Sequence, residues 1–186
     1  MHVTGVSNLF RIYKLRDVVR VDPSKIEKPL ENVVLEELRR KYEGLKDKTL
    51  GIILAVLDVN IDPLGIIPMG EGAPYHVVEF TVLSYVPIPN EVVEGIVETI
   101  SRGGIIVSVG AVEGFVHIQQ ITDEEVEYDA VRGAIVTKSS KRIIMPGDIV
   151  RARITNVTIA PNRPPRVNLT MRQPYLGKIE WIRSKK

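Results

Sequence analysis

No cysteine occurs anywhere in the 186 residues. Disulfides, thiolate metal sites and cysteine nucleophiles are excluded together, which fits a cytoplasmic chain. No apolar run approaches the ~20 residues that a bilayer-spanning helix needs. The N-terminus carries no basic stretch followed by an apolar one, so neither a membrane partner nor a secretory leader is expected. Histidine is scarce: His2, His76 and His117 are the whole supply, and no metal-ligand spacing relates them. Gly70-Glu71-Gly72 is too short to cradle a phosphate, and no helix follows it. No metal, cofactor or catalytic residue is expected, and no internal repeat or low-complexity tract interrupts the chain.

What is present is a sharp charge asymmetry beneath a net charge of +2. Residues 87–129 hold Arg102 alone against nine acids, a balance of −8. Residues 130–186 hold thirteen Lys and Arg against Asp148 and Glu180, a balance of +11. A concentrated positive field attracts phosphates and speeds encounter with a polyanion. The competing reading is a solvated surface in a charge-rich protein.

The first half reads as a helix on a small antiparallel sheet. Leu9 to Val21 alternates loosely as a strand, and Pro23 ends it. Pro29 suits a helix start. Leu30, Val34, Leu38, Tyr42 and Leu45 then recur every three or four residues as one apolar stripe. Glu31 near the start and Arg39, Arg40 and Lys41 near the end complement the helix dipole. Leu50 to Val59 is nearly continuous apolar, as for a strand covered on both faces. Asn60 to Pro74, with Gly65, Gly70, Gly72 and Pro74, reads as a projecting loop with a short strand at Ile66-Ile67. His76 to Val86 alternates again, with Val78, Phe80 and Val82 on one face. Pro87-Ile88-Pro89-Asn90 is a short, stiff connection. It divides a domain over residues 1–86 from one over 87–186.

From Glu91 onward strands crowd together. They are read at 92–101, 104–109, 113–117, 131–137, 149–158 and 165–171, with a turn near 119–123 and an acidic connection over 123–129. Met145 to Asp148 is a turn, and Asn162 to Pro165 a hairpin tip. Glycines at Gly95, Gly103, Gly104, Gly110 and Gly114 stand where a small barrel needs them. Five main strands with these connections suit a closed OB barrel. The fold class is therefore α+β, a helix-on-sheet domain followed by an all-β barrel.

The order Gly-x-Val-x-x-Ile, Gly-Gly-Ile-Ile-Val, Gly-Phe-Val-His-Ile within residues 95–118 resembles the first three strands of S1-type RNA-binding barrels. Such barrels combine basic residues for phosphates with flat side chains for bases. His117 ends the third strand, where related modules present a histidine on the binding face. The competing reading is a partly buried structural histidine. Arg151 and Arg153 lie two apart and share one strand face. With Arg166 at the start of the closing strand and Arg102 in the first hairpin, they form a candidate groove for single-stranded RNA. Phe115 is assigned to the core. Aromatics usual around the first hairpin are replaced by Arg102 and Ile105, which points to phosphate-led, sequence-tolerant binding. Asp123, Glu124, Glu125, Glu127 and Asp129 are dense in carboxylates, but they follow one another along a loop rather than converging on a metal.

The run Leu169-Thr-Met-Arg-Gln-Pro-Tyr-Leu-Gly-Lys-Ile-Glu-Trp181 is more specific than the barrel pattern. With Tyr13 to Val21, Gly70 to Phe80 and Gln119 to Asp123, it resembles the E-prime family of archaeal RNA polymerase subunits, counterparts of the seventh subunit of eukaryotic polymerase II. The resemblance covers about residue 10 to the end and leaves Met1 to about Leu9 outside. It implies a non-catalytic stalk protein paired with the F subunit of RNA polymerase, supporting initiation, elongation and termination. It further implies a tip loop over Gly65–Pro74 that docks on the polymerase core. The barrel face with His117 and the arginines would meet emerging RNA.

Independently, Ile66-Ile67-Pro68-Met69 is an apolar segment in a loop, easier to understand if a partner covers it. The alternative is that it folds back on its own sheet. Trp181, past the last barrel strand, packs within the chain or fills a partner's pocket. Two further function classes stand beside the stalk protein. One is a free-standing RNA-binding factor in translation or RNA decay, and the other an enzyme acting on nucleic acid.

Overall fold

The alternation between Leu9 and Val21 forms strand β1 (Phe10–Arg20), which pairs along its whole length with β4 (Tyr75–Tyr85), Phe10 opposite Tyr85 and Arg20 opposite Tyr75. The computed structural model describes residues 9–25, 27–161 and 163–183. The segment from Met1 to about Leu9 therefore lies almost wholly outside the described residues, as does Asn162 at the expected hairpin tip. The chain divides into two compact units at the step from Val86 to Pro87.

In the first unit β2 (Lys46–Asp47) and β3 (Gly51–Ile61) complete an antiparallel sheet of order β1-β4-β3-β2. Helix α1 (Leu30–Tyr42) covers one face, and the Pro29 carbonyl accepts the amides of Asn32 and Val33. The core joins Val33, Val34 and Leu38 of the helix to Val19, Ile53, Val56, Val78, Phe80 and Val82 of the sheet. Each such fully buried side chain contributes about 1.5–3 kcal/mol. Tyr42 extends the stripe, its ring centroid 4.8 Å from that of Phe80. Leu45 does not; it falls beyond the helix and is exposed.

The expectation of a doubly covered strand at Leu50–Val59 needs correction. The register of β3 against β4 shifts between Ile53 and Ala55 and again between Val56 and Asp58, and Leu57 is exposed. Two bulges re-aim successive apolar residues, so the unbroken run does not report burial on both faces.

In the second unit β5 (Val92–Ser101), β6 (Gly104–Val109) and β7 (Val112–His117) form an antiparallel meander. β11 (Ile149–Thr158) pairs with β5, β12 (Arg166–Thr170) pairs with β11, and β12 runs parallel to β7. The ring β5-β6-β7-β12-β11 closes on itself, a five-stranded OB barrel without an open edge. Val93, Val97, Ile105, Val107, Val116, Val150, Ile154 and Leu169 fill it. Closure is tight at Gly104, where φ is +150° and a Cβ would lie 2.1 Å from the Val116 carbonyl oxygen. Only glycine fits there.

Three strands of the second unit form a sheet of their own outside the ring. β8 (Val126–Asp129), β9 (Ala134–Thr137) and β10 (Ile143–Ile144) make a separate sheet of order β10-β9-β8. The strand expected at 131–137 thus shrinks to β9, with a turn over 131–133, and half of the acidic connection is strand rather than loop. β13 (Gly177–Lys178) adds to β11, and α2 (Ile179–Arg183) follows.

Candidate nucleic-acid interface

The outward wall of the barrel is set by strand parity. Along β7 Val112, Gly114 and Val116 point inward, so Glu113, Phe115 and His117 point out. Phe115 is 38% exposed, and its ring meets that of His117 edge-on at 6.4 Å between centroids. Its assignment to the core is therefore overturned. In register, Phe115 pairs with Ile106 of β6 and with exposed Asn168 of β12. A flat ring flanked by an apolar and an amide side chain is a surface on which a base can stack.

His117 is exposed, not a buried structural histidine. Its Nδ1 accepts the Gln119 amide at 3.3 Å and caps the short 3-10 turn Ile118–Gln120. With Nδ1 engaged as an acceptor, the ring's donor is Nε2. Arg102 is exposed in the turn between β5 and β6, two residues from Gly104, the register partner of His117. Ile105, which with Arg102 stands in place of the usual aromatics of the first hairpin, is fully buried.

The remaining arginines do not join this group as one cluster. Arg166 is exposed at the start of β12, opposite Thr158 on β11 and one residue before Val167, the partner of Gly114. It stands beside β7 rather than beside Arg151 and Arg153, which lie at the other end of β11. Arg151 is held by Glu94, with Nε and Nη2 at 2.9 and 2.7 Å from one carboxylate oxygen. Arg153 reaches the Asn90 carbonyl at 3.5 Å, and its Nε is buried without a hydrogen-bond partner. Both stand on β11, two strands round the ring from β7.

The acidic run is occupied structurally. Glu125 pairs with Lys138 at 3.1 Å, Glu124 accepts the Ser140 amide at 3.1 Å, and Asp129 accepts the amides of Val131 and Arg132.

The loop over Gly65–Pro74 is pinned at its base and bare at its tip. Ile66 and Tyr75 exchange two backbone hydrogen bonds of 2.9 Å, and the Pro74 carbonyl accepts the Val21 amide. His76 Nδ1 lies 3.0 Å from the Asp62 carbonyl, and its ring presses so close that a Cβ on Gly65 would sit 2.7 Å away. Glu71 hydrogen-bonds the Tyr75 hydroxyl, and that carboxylate raises the phenol above its usual pKa. Against this frame Leu64, Ile66, Ile67 and Met69 are 79%, 70%, 64% and 104% exposed. The segment does not fold back on its sheet. Gly70 (φ +91°) and Gly72 have open space around them.

Trp181 is half-buried on α2, with the Arg142 guanidinium 5.7 Å from its ring centre. Buried Lys178 bonds Asp148 at 2.9 Å and Glu180 at 3.1 Å. Burial works against its charge, but the two carboxylates outweigh it and raise its pKa.

Two family models match the two units. The SHS2 domain found in the N terminus of Rpb7p/Rpc25p/MJ0397 matches residues 16–72, and the S1 RNA binding domain matches residues 86–163. DNA-directed RNA polymerase subunit Rpo7 of Saccharolobus solfataricus is 47% identical over 175 residues, 94% of this chain and 97% of that one. Its counterpart from Sulfolobus acidocaldarius is 40% identical over 174 residues, 94% and 95% of the two chains. RNA polymerase II subunit rpb7 of Schizosaccharomyces pombe is 24% identical over 173 residues, 91% and 99% of the two chains. With identity at that level along nearly the full length of both chains, this chain belongs to the Rpo7 family of DNA-directed RNA polymerase subunits.

Proposed function

We propose that the chain is a non-catalytic stalk protein that docks on the polymerase core through its tip loop, pairs with the polymerase's F subunit, and holds emerging single-stranded RNA on its barrel. The observation that carries the RNA reading is the outward row Asn168–Phe115–Ile106, with His117 and Arg102 at one end and Arg166 alongside. It offers one stacking ring, one imidazole donor and cations for phosphates, a combination suited to sequence-tolerant binding. Arg151 and Arg153 add to the field at longer range. Held transcript of this kind supports initiation, elongation and termination without bond-making chemistry in this chain.

Core docking rests on Ile66, Ile67 and Met69, apolar groups that gain by leaving water. Gly65, Gly70, Gly72 and Pro74 shape the loop that carries them. Pairing with the F subunit rests on the family resemblance and on β1, which leaves Phe10, Ile12 and Val18 exposed on the sheet face turned from α1.

Co-expression with the F subunit and polymerase core tests the assembly. The wild-type chain is expected in a stoichiometric complex. The double variant Ile67→Asp, Met69→Asp should keep its thermal midpoint and its F partner, yet lose core binding by more than about tenfold, the cost of desolvating unpaired carboxylates. A chain that binds RNA but ignores both the F subunit and the core contradicts the proposal and favours a free-standing RNA-binding factor.

A further inference from the structure

The Gln173-Pro174-Tyr175-Leu176 stretch has no part in the barrel face or the tip loop. The Leu176 amide donates to the Gln173 carbonyl at 3.1 Å, closing a turn with Pro174 and Tyr175 at its centre. Tyr175 has φ +64°. Proline followed by a left-handed residue makes a type II turn, whose third position favours glycine. A bulky side chain there is an outlier, and such strain concentrates where a side chain is needed in one place. Tyr175 is also 80% exposed, so packing does not explain the ring.

The turn forms part of the lining of a cavity of about 400 Å³, built entirely from the second unit. Sites for small ligands run from about 300 to 1,000 Å³. Trp181, the sole tryptophan, contributes a second ring, and Arg142 stands over it. Arg172 and Asp123, paired at 2.9 Å, and the half-buried Thr122 contribute polar groups. Two aromatic rings, two guanidiniums and one carboxylate leave the lining net positive. Flat faces beside guanidiniums are what an unstacked base and its phosphate require. A cationic lining also disfavours a basic partner segment.

The cavity continues the barrel face. Ile121, Thr122 and Asp123 of its wall follow directly on the 3-10 turn that His117 caps. Gln120 fixes that wall to the end of β12, its carbonyl accepting the Met171 amide at 2.7 Å and its side-chain oxygen the Thr170 hydroxyl at 2.8 Å. A strand that leaves His117 along the 3-10 turn would meet this cavity next.

We propose that the cavity is a second RNA subsite, which takes one splayed base and its phosphate between Tyr175, Trp181, Arg142 and Arg172. It rests on the RNA-binding reading of the barrel and extends it. Trp181 is a built-in reporter. Titration of the full chain with a single-stranded RNA dodecamer, read by anisotropy and by tryptophan emission, should show quenching that tracks binding. Tyr175→Gly relieves the left-handed strain, so the chain stays folded while the ring is lost. It should weaken binding about tenfold, the typical effect of one lost base stack, and reduce the quench. Unmoved emission and unchanged affinity in Tyr175→Gly, with binding still weakened by Phe115→Ala, overturn the subsite and leave the barrel face standing. No RNA binding by the wild-type chain overturns both. Emission that responds to polymerase core and not to RNA assigns the cavity to a protein contact and overturns the subsite.

Discussion

On the proposed reading Phe115 is the ring on which the barrel stacks a base, and its outward place was available in the sequence. The Gly-Phe-Val-His-Ile stretch set His117 outward, and a period of two then puts Phe115 on the same side. The general preference of phenylalanine for cores outweighed that parity, and parity was the better guide. With one ring exposed, Phe115→Ala should lower single-stranded RNA affinity about tenfold in anisotropy titrations, within the 1–3 kcal/mol of a base stack. Arg151→Gln should change it far less, because that guanidinium is already committed to Glu94. The commitment was not legible, since the two residues lie 57 positions apart in the chain. Neutralising Arg102 and Arg166 should instead flatten the salt dependence, by about 0.7 in slope for each lost phosphate contact to a single strand.

Elements with strong local signals were read most faithfully. Helix α1 announced itself by spacing and by its charge order, and the strands of the meander by glycines and alternation. β3 and the β8-β9-β10 sheet were misjudged for reasons outside local pattern. Bulges depend on the partner strand, and a short acidic strand such as Val126–Asp129 carries little apolar periodicity to reveal it.

The tie between α1 and β1 carries its own test. Asp17 of β1 bonds Lys41 Nζ at 2.6 Å and the Tyr42 hydroxyl at 2.9 Å. Burial tends to raise its carboxyl, yet the bonds from Lys41, the Val18 amide and Tyr42 prevail and hold it below the ordinary 3.8. A depressed folded pKa gives stability that is complete above the unfolded value and lost as pH falls through the folded one. Asp17→Asn should therefore cost about 1 kcal/mol at neutral pH, modest because Lys41 is largely exposed. The difference from wild type should shrink as pH is lowered from neutral to well below 3.8 and so through the depressed folded pKa. Urea denaturation at the two pH values reads both effects.

At the scale of the whole molecule, the charge asymmetry proved weaker than its sum. Of the basic residues after position 129, Arg132, Lys138, Arg151, Arg172 and Lys178 are engaged in ion pairs with acids. Four of these pair with acids of residues 87–129, so the basic segment is partly neutralised by the acidic one, and the proposed RNA contact rests on Arg102 and Arg166 beside β7. The family was legible because several separate motifs agreed, with the C-terminal run the most specific. The sites were less so, because they depend on which strands close the ring and on which cations are already paired.

The central claim is that transcript leaving the polymerase runs over the β6–β7 wall of this chain. Reconstituted polymerase carrying nascent RNA with 4-thiouridine, cross-linked and mapped by mass spectrometry, tests it most directly. Cross-links on Phe115, His117 and the Arg102 turn are the predicted result. Cross-links confined to β11 around Arg151 and Arg153, or absent from this chain while the polymerase transcribes, would contradict it.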